Sequence, residues 1–166
     1  AQGNFRQVLE NDAQYPQLQY NDSLYYLLNK KPKNSKLLNR IALTYMKWAQ
    51  SKGVNRIEAN NYYQKARDIL SNKVLKLDNE NINAISALAS IAVHTNGNVD
   101  AIYRKIKSQE LLKNLNNRAL TDIGNYYLAK NRIKIARDTA FLLNERKTKY
   151  PPAYLFMANY FLHQND

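Results

Sequence analysis

The sequence predicts an all-α protein, and three observations carry that prediction. Only 4 Gly and 4 Pro interrupt 166 residues, of which 45% are hydrophobic, a composition poor in the turn residues that many-stranded folds need. Apolar residues recur at steps of three and four, as in Leu38, Ile41, Ala42, Tyr45 and in Ile85, Leu88, Ala89, Ala92. That is the spacing of one helix face, and no stretch alternates as a strand would. Finally, the pattern large, two residues, large, small, two residues, large occurs as Leu120, Ile123, Gly124, Tyr127 and again 34 residues later as Tyr154, Met157, Ala158, Phe161. Recurrence at a fixed period marks stacked supersecondary units.

Taken in chain order, the elements form one helical-repeat domain over 1–166. In 1–34, Phe5, Val8 and Leu9 loosely suit a first helix, and Tyr20, Leu24 and Leu27 a second one ending at Pro32. Unit 35–81 has Leu38, Ile41, Ala42 and Tyr45 on its first helix and Ala59, Tyr63 and Ala66 on its second. Fourteen residues separate Tyr45 from Ala59 where nine separate Tyr127 from Ala136, so the turn around Gly53 is longer, with Trp48 placed to shield it. The second helix runs on through Ile69, Leu70, Val74 and Leu77. Unit 82–116 pairs Ile85, Leu88, Ala89 and Ala92 with Ile102 and Ile106 across a turn at Asn96-Gly97-Asn98, and carries Gln109 where a small apolar residue is expected. Unit 117–150 pairs Leu120, Ile123, Gly124 and Tyr127 with Ala136, Ala140 and Leu143. Pro151-Pro152 then opens 151–166, the first helix of an incomplete unit. Tyr154 to Leu162 is apolar on nearly every face, which predicts burial on both sides. We expect further repeats to cover it in a longer chain, or self-association through this helix if the chain ends here.

The small residues Ala42, Ala89, Gly124 and Ala158 step by 47, 35 and 34. At these positions the chain resembles the tetratricopeptide repeat family, in divergent form, over about residues 18–166. The resemblance implies a right-handed α-solenoid of antiparallel helix pairs, in which the small residue lets the partner helix approach the backbone. It also implies a concave face, lined by first helices, that binds peptides or helices of other proteins.

Catalytic chemistry finds little support. There is no Cys and only two His, His94 and His163, neither with a carboxylate at metal-ligand spacing. The glycines are isolated, so no phosphate loop forms. The sequence therefore points to a non-enzyme with no cofactor and no metal. On the face beside the packing positions, the candidate partner-binding groove is Lys36, Asn39, Leu43 and Lys47; Asn83, Ser86, Ser90 and His94; Arg118, Thr121 and Asn125; and Leu155, Asn159 and His163. Asn125 and Asn159 are 34 apart and should stack, offering amides that can both donate to and accept from an extended backbone. Leu43 and Thr121 interrupt the Lys, Asn and Arg set that chaperone-binding members use. In the doublets Tyr25-Tyr26, Tyr62-Tyr63 and Tyr126-Tyr127 one ring matches a packing position and the other is free to face a partner.

The formal charge is +12. Its densest cluster, Lys130, Arg132, Lys134 and Arg137, falls on a turn and second helix, away from the groove. The expected function is a protein-interaction scaffold, with bacterial envelope, pilus or secretion-system assembly as the suggested setting and periplasm or envelope favoured over cytoplasm. The alternative is a nucleic-acid-binding α-solenoid using the basic face.

Overall fold

The computed structural model describes residue 30 and residues 33–164, which are all-helical: seven helices and, among the described residues, no strand. The features expected within residues 1–29, and Pro32, lie outside the described residues. The chain divides into two compact units, 1–84 and 85–166.

In the first unit, α1 (Ser35–Ala49) and α2 (Arg56–Ile69) pack along each other across the turn at Gly53, whose φ is +82°. Leu38, Ile41, Ala42, Tyr45 and Met46 of α1 meet Tyr63, Ala66 and Ile69 of α2 in the core. Trp48 is buried as well; its ring stands edge-on to those of Tyr45 and Tyr62, with both centroids 5.5 Å away. Tyr62 is thus held against the fold instead of facing a partner, and Lys65 Nζ lies 5.5 Å from the Tyr45 ring centroid. Past Ile69 the helix continues as a π-helical segment, Leu70–Val74, and a last α turn, Leu75–Leu77. Leu70 and Val74 are fully buried against α1 and α2, whereas Leu77 is exposed.

Helix α3 (Ile82–His94) leads into the second unit, which holds α4 (Val99–Ser108), α5 (Asn117–Ala129), α6 (Ile133–Glu145) and α7 (Pro151–His163). The α5 core residues Leu120, Ile123 and Tyr127 are buried with Ala136, Ala140 and Leu143 of α6. Gly124 sits where three helices meet: a Cβ there would fall 2.6 Å from Phe156 Cε1 of α7 and 2.7 Å from Thr139 Oγ1 of α6. The Tyr127 hydroxyl donates to Asp100 Oδ1 of α4 over 2.7 Å, and its ring meets Tyr103 at 5.2 Å. Burial, then this hydrogen bond to a carboxylate, raises the Tyr127 phenol well above its ordinary range.

Asparagine explains much of where the helices begin. Five of the seven helices start under an Asn side chain: Asn34 over Lys36 and Leu37, Asn55 over Glu58, Asn81 over Ala84, Asn98 over Ala101 and Asn116 over Ala119. Each accepts an otherwise unpaired first-turn N–H, worth about 1 kcal/mol. At the other ends, Asn96, Glu110 and Asn131 have positive φ, and Gly97, Leu111 and Arg132 donate back to Ala92, Ile106 and Tyr127. This left-handed stop satisfies the last carbonyls of α3, α4 and α5.

Turns in the second unit are tied by Arg146, which follows α6. Its guanidinium donates to the carbonyl of Leu115 at 2.6 Å, to Asn117 Oδ1 at 3.2 Å and to the carbonyl of Lys113. Asn117 Nδ2 donates to Thr148 Oγ1, which also accepts from the Tyr150 N–H. Arg146 is therefore a strut between two inter-helix turns.

Helix α7 departs from the expected register. The 34-residue step assigns Tyr154, Met157, Ala158 and Phe161 to packing, yet the buried residues are Ala153, Phe156 and Tyr160, while Tyr154, Ala158 and Phe161 are exposed. The cause is the set of neighbours. α7 packs on α5 and α6, and among the described residues no helix covers the stripe that α6 covers on α5.

Candidate interaction face

With Leu120, Ile123, Gly124 and Tyr127 committed to the core, the opposite side of α5 presents Arg118 and Asp122, half-buried, and Asn125, exposed. On α7 the same logic leaves Leu155 and Asn159 exposed. Asn125 and Asn159 are thus both exposed, on two helices that pack together. At the end of α3, His94 Nε2 approaches Asp122 Oδ2 at 3.4 Å. That carboxylate oxygen is shielded from water and makes no hydrogen bond. The Tyr150 hydroxyl, before α7, is raised by burial and then by the Asp122 charge, partly offset by Arg118. Arg118, Asp122 and Tyr150 therefore share one electrostatic neighbourhood. At the far ends of α5 and α7, His163 Nε2 lies 3.1 Å from Asn131 Oδ1.

Chemically this face offers amide donors and acceptors, a carboxylate, a guanidinium and an imidazole. Among the described residues no group of three or more His, Cys, Asp or Glu is placed to hold a metal ion. No described helix is long and apolar enough to cross a membrane.

Four groove assignments are corrected. Asn39 is buried, with Nδ2 donating to Asn81 Oδ1 at 3.0 Å, so it buttresses the α3 cap. Ser86 is buried and its Oγ accepts from the Asn116 N–H. Ser90 is buried, and Thr121 is buried with its hydroxyl on the Asn117 carbonyl. The reason is position: these side chains fall where adjacent backbone lies alongside, and Asn39, Ser86 and Thr121 spend their hydrogen bonds within the fold. Lys36, Leu43 and Lys47 are exposed on α1, and Asn83 is exposed on α3.

The basic cluster is also redistributed. Arg132 lies 3.6 Å from Asp100, Arg137 lies 3.8 Å from Asp138, and Lys130 Nζ sits 4.9 Å from the Tyr126 ring centroid. Only Lys134 of the four is drawn into none of these contacts, and it is exposed. Tyr126, expected to face a partner, instead packs edge-on against Tyr127 with its centroid 5.1 Å away. Asp138 also receives Lys107 at 3.8 Å, whereas Asp68 accepts from Gln64 Nε2.

Sequence reading missed Asp122 and Tyr150. Asp122 follows Arg118 by one helical turn and precedes Asn125 by another, a signal that it shares their face; its approach to His94 depends on which helix lies alongside. Compared with known protein families, curated proteins and solved structures, the chain matches none.

Proposed function

We propose that the protein is a tetratricopeptide-like α-solenoid and a non-catalytic scaffold that captures an extended peptide or helix of another protein. The binding face is built from Arg118, Asp122, Asn125 and Asn159, with His94 and Tyr150 at its edge. The observation that carries this reading is that Asn125 and Asn159 are both exposed on two helices that pack together. Most other asparagines on the helix starts are consumed as caps; these two are mid-helix, where Asn has no propensity advantage. Amides repeated along one direction match the alternating donors and acceptors of a peptide backbone. The engaged state of Arg132, Arg137 and Lys130 weighs against phosphate recognition as the main task.

The test is selection from a random peptide library, followed by calorimetry of the selected peptide on the full chain. Combined Asn125→Ala and Asn159→Ala should weaken binding at least about tenfold, a change of roughly 1.4 kcal/mol. Lys134→Ala should leave it unaltered. Equal affinity of the double variant and the parent would remove the basis for this face.

A further inference from the structure

Helix α7 is buried on one side only. At about 100° per residue, Ala153, Phe156 and Tyr160 centre opposite Ala158. On the Ala158 side, Tyr154, Leu155, Phe161 and Leu162 are 54%, 67%, 49% and 65% exposed, and Ala158 itself is exposed. These five side chains fall within roughly 120° of arc. Contiguous apolar surface of this kind on a protein marks a contact site.

The order of the face is symmetric: a small residue at the centre, large apolar residues three and four positions before it, and large apolar residues three and four positions after it. Such a face is complementary to itself. Two copies laid antiparallel about a two-fold axis through Ala158 set Leu155 against the partner's Phe161 and Tyr154 against the partner's Leu162. Each Ala158 then leaves room for the other helix to approach, the same use that Gly124 serves within the unit. We propose that α7 is the isologous interface of a homodimer.

Two further observations favour a second copy as the occupant. No charged residue lies between Pro151 and Leu162, so a chain of +12 can meet itself there without setting like charges in contact. The exposed fractions correspond to roughly 500 Å² per copy, or about 1,000 Å² for the pair, the lower limit of a specific interface. The dimer is therefore reversible and dissociates on dilution.

Because the chain has no cysteine, Ala158→Cys introduces a single thiol on the axis. Mild oxidation of the full chain should give a covalent dimer, since a disulfide needs Cα atoms within roughly 4.4–6.8 Å; Asn125→Cys should not. In sedimentation equilibrium the parent should show a monomer–dimer equilibrium. Ala158→Arg and, separately, Leu162→Glu should be monomeric at every concentration and melt like the dilute, monomeric parent, since both positions face solvent in the monomer. A parent that stays monomeric throughout overturns the proposal, also where α7 then proves to bind a helix of a different protein. A dimer insensitive to both substitutions overturns it equally, by placing the contact elsewhere.

Discussion

Gly124→Ala provides the sharpest test of the packing described above, because two principles give opposite signs. In an exposed helix interior the change stabilises by roughly 0.5–1 kcal/mol, through the lower backbone entropy of Ala in the unfolded chain. At Gly124 the new methyl meets the ring of Phe156, with Cε1 at 2.6 Å, and Thr139 Oγ1 at 2.7 Å. Both neighbours are fully buried, so neither can swing into solvent, and relief requires α7 or α6 to move off α5. Overpacking of this kind costs about 1–3 kcal/mol. The clash outweighs the propensity gain, and the expected net loss is about 1–2 kcal/mol, read as a lower urea midpoint at constant slope. Phe156→Leu should relieve part of it by withdrawing the ring. In a double-mutant cycle the pair should then lose at least about 0.5 kcal/mol less than the two singles combined. Unchanged or higher stability of Gly124→Ala, or simple additivity with Phe156→Leu, would refute the three-helix contact.

Three other expectations can be checked alongside it. Arg146→Gln should cost about 1.5–3 kcal/mol in urea unfolding by stripping the charge-assisted bonds to the Lys113 and Leu115 carbonyls, and Arg146→Lys should not restore it because one ammonium cannot span both. Asn116→Ala, which removes the cap on Ala119, should lose about 1 kcal/mol, while Asn125→Ala, exposed and mid-helix, should stay within about 0.5 kcal/mol of the parent. The phenols of Tyr45, Tyr103 and Tyr127 are all raised, mainly by burial. The unfolded chain therefore loses these protons first: their contribution to stability is complete below about pH 10 and drains away as pH rises beyond it. Denaturation followed against pH should show that alkaline fall, and Tyr127→Phe should make it shallower.

Helix identity and most helix limits were legible in the sequence because they follow from local chemistry. The three-and-four spacing of Leu38, Ile41, Ala42 and Tyr45 places one face inward whatever lies against it, and Gly53, Gly97 and Pro151 break the chain for reasons of backbone sterics alone. The continuation past Ile69 was visible for the same reason, although the π-helical turn that carries it was not. The special position of Gly124 was legible too, through its 34-residue step.

What the sequence could not decide is which neighbour covers which side. Asn39, Ser86, Ser90 and Thr121 are polar and correctly phased for an open face, yet adjacent helices bury them and use their hydrogen bonds internally. Asparagine carries the same amide whether it caps a helix, as Asn116 does, or faces solvent, as Asn125 does; position relative to the helix start settles which. The pairings of Asp122 with His94 and of Arg132 with Asp100 join residues far apart in the chain, at distances set by helix packing. The phase of α7 is decided in the same way. Its sequence is apolar nearly all round, so periodicity selects no face, and only contact with α5 and α6 determines that Phe156 is buried and Ala158 is not.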